Sequence, residues 1–170
     1  MAILTTDRLI LRRHGPEDFD NLYRIWSDPV FTRQIGFAPL SAETVWFRLL
    51  RDIGHCQVFG YGNWAVTGRE TGLYMGSVGV FNYRRDLDPI FDSPEVGWGL
   101  DPAFHGGGFA TEALSVALEH ADSVLEIPRT VCMISPDNAP SLKLALKVGF
   151  TPWRQGDYHG ETLTMMERRR

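Results

Sequence analysis

Three glycines stand directly before a run of helix formers in the segment His105-Gly106-Gly107-Gly108-Phe109-Ala110-Thr111. Glycine lowers helix stability, so three at a helix start serve either a sharp turn or the close approach of a ligand to backbone. A helix N-terminus carries unpaired N–H groups and a partial positive charge, which suits phosphate. Missing Cβ atoms let an anion come near, and positive φ angles let successive N–H groups converge. Two familiar phosphate motifs fit poorly. A P-loop needs Lys and Ser/Thr after its last glycine, and here Phe109 and Ala110 follow. A dinucleotide fingerprint beginning at Gly106 and Gly108 finds Thr111 in its third glycine place. On the glycines alone, a mere turn and an anion cradle stand level.

The elements around this segment decide what it can hold. "EVGWGL" (Glu95 to Leu100) reads as a short strand leading into the glycines. Ala113, Leu114, Ala117, Leu118, Ala121 and Leu125 then form one helical stripe from Phe109 to about Leu125. Downstream, "RTVCMI" (Arg129 to Ile134) is β-branched and apolar, hence a buried strand. "NAPSLKLALKVG" follows as a helix, with Asn138 as N-cap, Pro140 in the first turn and Gly149 just past the end. Upstream, "RLILRRH" alternates as a strand. A first helix carries Phe19, Leu22, Tyr23 and Trp26 and stops at Asp28-Pro29. A second starts at Ser41 and Thr44 and ends at Gly54. "NWAVTG" and "LYMGSVGVFNY" are strands, Arg84 to Pro94 a loop, and "FTPWRQGD" with "ETLTMMER" a closing hairpin around "YHG". The pattern is a mixed α/β domain on one sheet.

Bulk properties narrow the class. The chain has 170 residues, 44% of them hydrophobic and 22% charged, with a formal net charge of -4. This is the balance of a single globular domain over residues 1–170, and it argues against non-specific nucleic-acid binding, which needs a basic face. The basic run "ERRR" at the C-terminus reads as a solvated tail. Cys56 and Cys132 have no metal-ligand spacing, the five histidines form no H-E-x-x-H pattern, and no metal site is expected. No apolar run reaches membrane-spanning length and no signal-peptide core opens the chain, so the expected setting is the cytoplasm, as a monomer or homodimer.

The distant segments together resemble the GNAT superfamily of acetyl-CoA-dependent N-acetyltransferases, and within it the RimJ/RimL-type ribosomal-protein branch. That family's pyrophosphate loop reads Gln/Arg-x-x-Gly-x-Gly/Ala. Here it is His105-Gly106-Gly107-Gly108-Phe109-Ala110 followed by "TEAL", with His105 replacing the usual Gln or Arg. A second signature has Asn, Ser three residues on, and Gly-Phe after a short helix: here Asn138, Ser141 and Gly149-Phe150. The opening "TDRLILRR...PEDFDNLYRIWSDP" is also similar to this branch, so the likeness covers nearly the whole chain. It implies a single mixed, mostly antiparallel sheet flanked by helices. In it the parallel strands "EVGWGL" and "RTVCMI" splay apart at the acetyl-CoA site.

The resemblance also implies roles. Acetyl-CoA would lie on His105, Gly106, Gly107, Gly108, Phe109, Ala110 and Thr111, with Trp98 and Leu100 lending backbone to the pantetheine arm and Asn138 and Ser141 beside it. Glu95 is the first candidate for general base; a solvent-facing strand-edge carboxylate is the competing reading, and Asp92 and Asp86 are weaker alternatives in the adjoining loop. Many members place a proton-donating tyrosine where this chain has Ala145, so Ser141 is the candidate partner of the leaving thiolate, against ordinary first-turn capping. The acceptor is a primary amine, either a protein N-terminus or a small molecule. Trp26, Phe31, Phe37, Trp46, Phe47, Phe59, Tyr61 and Tyr158 are available near it. A non-catalytic acyl-CoA-binding domain is the alternative.

Overall fold

The computed structural model describes residues 1–170. Two strands open the chain, β1 (Leu4–Thr5) and β2 (Leu9–Arg13). A 3-10 turn at Pro16–Asp18 then leads into α1 (Phe19–Trp26), α2 (Pro29–Gln34) and α3 (Ala42–Phe59). Next come β3 (Asn63–Gly68), β4 (Tyr74–Phe81), β5 (Leu87–Asp88) and β6 (Glu95–Leu100). The remainder is α4 (Phe109–Ser123), β7 (Arg129–Ile134), α5 (Ala139–Lys147), β8 (Thr151–Tyr158) and β9 (Glu161–Arg169). All nine strands join one sheet in the order β1-β2-β3-β4-β6-β7-β9-β8-β5. Every neighbouring pair is antiparallel except β6 and β7. The expected mixed, mostly antiparallel sheet with one parallel pair is therefore present.

Alternation assigns the two faces. Trp64 and Val66 of β3 join the larger core, with Leu9, Leu11, Val78 and Val80 of the neighbouring strands. The α4 stripe Ala113, Leu114, Ala117, Leu118 and Ala121 covers that face. Ala65 points the other way, into a second core of Leu22, Ile25, Phe31, Val45, Leu49 and Tyr74 beneath α1 to α3. A strand covered on both faces reads as a continuous apolar run, as "WAV" does.

Three expectations need correction. Gly54 does not end α3, which runs on to Phe59 and stops where Gly60 takes φ +75°. Buried Asp52, His55 and Cys56 on either side hold the helix, and this packing outweighs a glycine penalty of about 1 kcal/mol. Asp28-Pro29 ends α1 but also begins α2: the Asp28 carboxylate accepts the Val30 N–H at 2.8 Å, and Pro29 needs no N–H partner at a first helical position. The segment from Arg84 to Pro94 is mostly loop, yet Leu87 and Asp88 pair with Tyr158 and Asp157. A two-residue strand carries too little periodicity to be seen in sequence.

Phe150 of the second signature is a packing residue. It is 1% exposed in the larger core, and its N–H caps α5 by donating to the Ala145 carbonyl at 3.0 Å. Phe150→Ala is expected to lower unfolding stability by about 3–5 kcal/mol, read as a lower urea midpoint at unchanged slope.

Candidate active site

The parallel pair is where the site is made. β6 and β7 share one register pair, Glu95 with Val131, closed by the Val131 N–H donating to the Pro94 carbonyl at 3.0 Å. Beyond it the strands part. Val96 to Gly99 of β6, Met133 and Ile134 of β7 and the following Ser135 line a cleft of about 230 Å³. Asn138 and Ser141 of α5, Tyr158 of β8, and residues of α1 and α3 complete its walls. The structure thus brings Glu95, Trp98, Asn138, Ser141 and Tyr158 together from three separate elements, β6, α5 with its N-cap, and β8.

The glycine segment stands just past the end of β6, outside the cleft walls. Gly108 is the N-cap of α4, and both Gly106 and Gly108 take φ +79°. No side chain caps this helix, and the backbone N–H groups from Gly106 to Thr111 find no acceptor within the chain. Six successive donors facing a helix N-terminus form a setting into which a diphosphate fits. Side chains fix the loop from outside. Arg8 donates to the Gly107 carbonyl at 3.0 Å and, through Nε, to Glu112 at 2.7 Å, and its guanidinium lies 4.3 Å from the Phe109 ring centroid. Arg24 pairs with Asp101, whose other oxygen accepts the Ala103 N–H at 2.9 Å. The His105 ring nitrogen Nε2 lies 2.9 Å from the Leu100 carbonyl. Leu100 is itself 3% exposed in the core, so its side chain faces away from the cleft and its carbonyl is already engaged.

Glu95 is not a solvent-facing edge residue. It is 6% exposed, and Arg85 grips it with both arms: Nε donates to Oε2 at 2.6 Å and Nη2 to Oε1 at 3.0 Å. Arg85 Nη1 also donates to the Tyr158 hydroxyl at 3.2 Å. Burial raises the Glu95 pKa above the ordinary carboxylate value while the Arg85 charge pulls it back, and the two-armed geometry is that of an ionised pair. Asp92 and Asp86 lie on the exposed loop, Asp92 paired with Arg129. Asn138 does cap α5, accepting the Ser141 N–H on Oδ1 at 3.1 Å. The Asn138 amide nitrogen and the Ser141 hydroxyl both line the cleft without a protein partner. Ala145 is fully buried in the core and offers no group to the cleft.

The sequence reading missed a charged floor. Arg48, Arg51 and Asp52, one face of α3 at spacings of three and four, enter the cleft with Tyr83. Asp52 is almost saturated: it accepts Arg51 at 2.9 Å, Asn63 at 3.0 Å and the Tyr83 hydroxyl. In sequence these three charges only flank the Val45, Leu49 and Ile53 stripe, a pattern that reads equally as a solvated helix face. Of the aromatics, Trp26, Phe37 and Tyr158 line the cleft, Phe31 is core, and Trp46, Phe47 and Phe59 are exposed outside it. A second hollow of about 520 Å³ shares the wall formed by Phe81, Tyr83, Arg85 and Glu95.

Comparison with known proteins settles the class. Residues 8–151 match the model of the acetyltransferase (GNAT) domain. The chain belongs to the GNAT acetyltransferase family. Among relatives, it is 30% identical over 151 residues to the uncharacterized N-acetyltransferase p20 of Bacillus licheniformis, covering 88% of this chain and 83% of that one. The crystal structure of an acetyltransferase from Agrobacterium tumefaciens superposes with a TM-score of 0.87 at 26% identity, covering 100% of this chain and 95% of the other. RimL, a ribosomal-protein α-N-acetyltransferase solved in complex with coenzyme A, shares the fold with a TM-score of 0.80 at 18% identity, covering 99% and 98%. Within this GNAT domain, no group of three or more His, Cys, Asp or Glu is placed to hold a metal, and no helix is long and apolar enough to cross a membrane.

The Asp52 site carries a pH signature. Burial pushes its pKa up, but the Arg51 charge and the hydrogen bonds from Tyr83 and Asn63 more than offset this, so it sits below the ordinary value. A carboxylate depressed in the folded state contributes stability above its unfolded pKa and loses it as pH falls toward the folded pKa. Asp52→Asn is therefore expected to lower stability at pH 7 and to flatten its decline in acid. Urea midpoints from about pH 6 down to pH 3 check this.

Proposed function

We propose that this chain is one acetyltransferase domain that moves the acetyl group of acetyl-CoA to a primary amine, with Glu95 receiving the amine proton. The observation that carries the reading is the pairing of two features at the two ends of β6. The uncapped N–H array of Gly106 to Thr111 suits the diphosphate, and the parted strands lead from it to a buried carboxylate. Trp98 and Gly99 backbone and the Asn138 side-chain amide would hold the pantetheine arm along the opening. When bound, acetyl-CoA supplies the thioester carbon that the neutral amine attacks.

The chain's residues then have three tasks. Glu95 takes the ammonium proton, directly or through a water, and Arg85 keeps its carboxylate oriented. Burial raises its basicity, which favours a base acting near neutral pH. The Ser141 hydroxyl, unpartnered in the cleft, hydrogen-bonds the departing thiolate, since the position expected for a tyrosine holds buried Ala145. Holding amine and thioester together supplies much of the remaining barrier reduction. His105 helps only indirectly, by tying the loop to Leu100. The acceptor is a protein N-terminus or a small amine; structures of the same fold are named for both kinds, a ribosomal protein for RimL and spermidine for a Vibrio cholerae enzyme.

Two measurements test this. Acetyl-CoA should raise the melting temperature of the wild type and not that of Gly108→Val. Valine is strained at φ +79°, whereas the nearest atom to a Cβ there, Arg8 Nη2, is at an ordinary 3.6 Å, so the domain should stay folded. Normal acetyl-CoA binding by Gly108→Val would overturn the cradle. Glu95→Gln should lower kcat by about 10²–10⁴-fold and remove the acid limb of the kcat/KM profile, which rises with pH as Glu95 deprotonates. An unchanged pH profile removes Glu95 from the mechanism. Binding of acetyl-CoA without turnover on any amine would leave the non-catalytic binding domain.

A further inference from the structure

The cleft holds three guanidinium groups and two carboxylates. Arg51 is spent on Asp52 and Arg85 on Glu95. Arg48 has neither an ion pair nor a hydrogen bond to any protein atom. Its guanidinium carbon rests 3.7 Å from the centroid of the Trp26 ring, itself a cleft wall. Burial and the neighbouring Arg51 lower its pKa to about 10, which leaves it charged at neutral pH. The Asp52 carboxylate one turn on acts on it only at a distance, without an ion pair or hydrogen bond, and a half-buried cation lacking a direct partner gains when an anion reaches it. A guanidinium held against an aromatic face is also already ordered, so little side-chain entropy is lost on pairing. The diphosphate cradle of Gly106 to Thr111 contributes no residue to the cleft, so phosphate bound there is not the partner of Arg48. Arg48 lines the same cleft as Glu95, the proposed base, and its charge acts on the Glu95 carboxyl.

We propose that the acceptor is an amine that also carries a carboxylate, and that Arg48, stacked on Trp26, receives that carboxylate. This rests on the acetyl-transfer reading above. A polyamine is disfavoured by the same geometry, since its second ammonium would meet an unneutralised guanidinium. The carboxylate has two sources: the acceptor's own α-carboxylate, as in a free amino acid, or an acidic side chain close behind a peptide N-terminus.

Matched pairs separate these sources and test the proposal. Alanine against alaninamide probes the first. A peptide amide beginning Ala-Asp against one beginning Ala-Asn probes the second. In at least one pair the carboxylate-bearing member should be preferred in kcat/KM by about tenfold or more, the ratio one charge-assisted hydrogen-bonded pair supplies. Arg48→Gln should bring that ratio to about one, and Arg48→Lys should restore part of it. Equal rates within both pairs, or a preference that survives Arg48→Gln, overturns the proposal. A direct binding measurement stands apart from turnover. Calorimetric titration of the same acid and amide pairs, with and without coenzyme A, should show the same ratio in wild type and its loss in Arg48→Gln. If no amine is acetylated yet the acids bind through Arg48, the acetyl-transfer reading fails and the carboxylate site stands. If amines are acetylated with no preference and neither acid binds more tightly than its amide, the reverse holds. Should Arg48→Gln not fold, the wild-type ratios decide alone.

Discussion

After Glu95 and Val131, β6 and β7 stop pairing, and the rest of the molecule is arranged around that parting. Two strands that separate inside a sheet leave backbone donors and acceptors without partners, and a closed core cannot tolerate this. The separation persists because each strand is secured on its far side. β6 keeps a full antiparallel ladder with β4, from Glu95–Phe81 to Leu100–Gly76, and β7 keeps one with β9, from Arg129–Arg169 to Ile134–Thr164. The wedge is thus flanked by two intact half-sheets. It opens toward a ligand that can run alongside a strand and satisfy what the partner strand no longer does. The glycine loop stands at the end of β6 and offers its six free N–H groups where such a ligand would turn.

The glycines inside β6 follow from the same constraint. A Cβ at Gly97 would lie 2.8 Å from the Phe81 ring, and one at Gly99 would lie 2.9 Å from the Phe31 ring. Aromatic side chains from one face press directly on the strand backbone and help to hold its course. Those rings also connect the strand to the helical cover, since Phe31 belongs to the smaller core and meets Trp26 edge-on with centroids 5.2 Å apart. Trp26 in turn carries Arg48. The wall of the cleft is therefore continuous from the strand that flanks the β6–β7 opening to the cation on α3.

Charge organises the floor. Buried carboxylates at Asp52 and Glu95 would be expensive alone, and each is matched by an arginine with hydrogen bonds to spare. The two are not equivalent. Asp52 is held down in pKa by three partners and serves the architecture of α3, β3 and Tyr83. Glu95 has one partner and is pushed up by burial, which leaves it nearer to proton exchange. Two carboxylates in one cleft are thus moved in opposite directions in pKa by their surroundings.

Much of this was legible in the linear chain. The α4 stripe, the Asn138 cap, the glycine cluster and the alternating strands are short-range patterns, written by the 3.6- and 2-residue periods and by cap chemistry. They sufficed for the fold class. The charged floor, the depth of Glu95 and the isolation of Arg48 were not legible, because each depends on residues 10 to 47 positions apart meeting across the sheet. Sequence by itself determined most of the strands and helices, all but the shortest, and where a run of glycines meets a helix start. Only the tertiary structure decided that Glu95 is buried against Arg85, that Phe150 packs the core, and that Leu100 turns away. Burial and ion pairing are properties of what surrounds a side chain, and in this chain the surroundings come from distant segments brought together by the sheet.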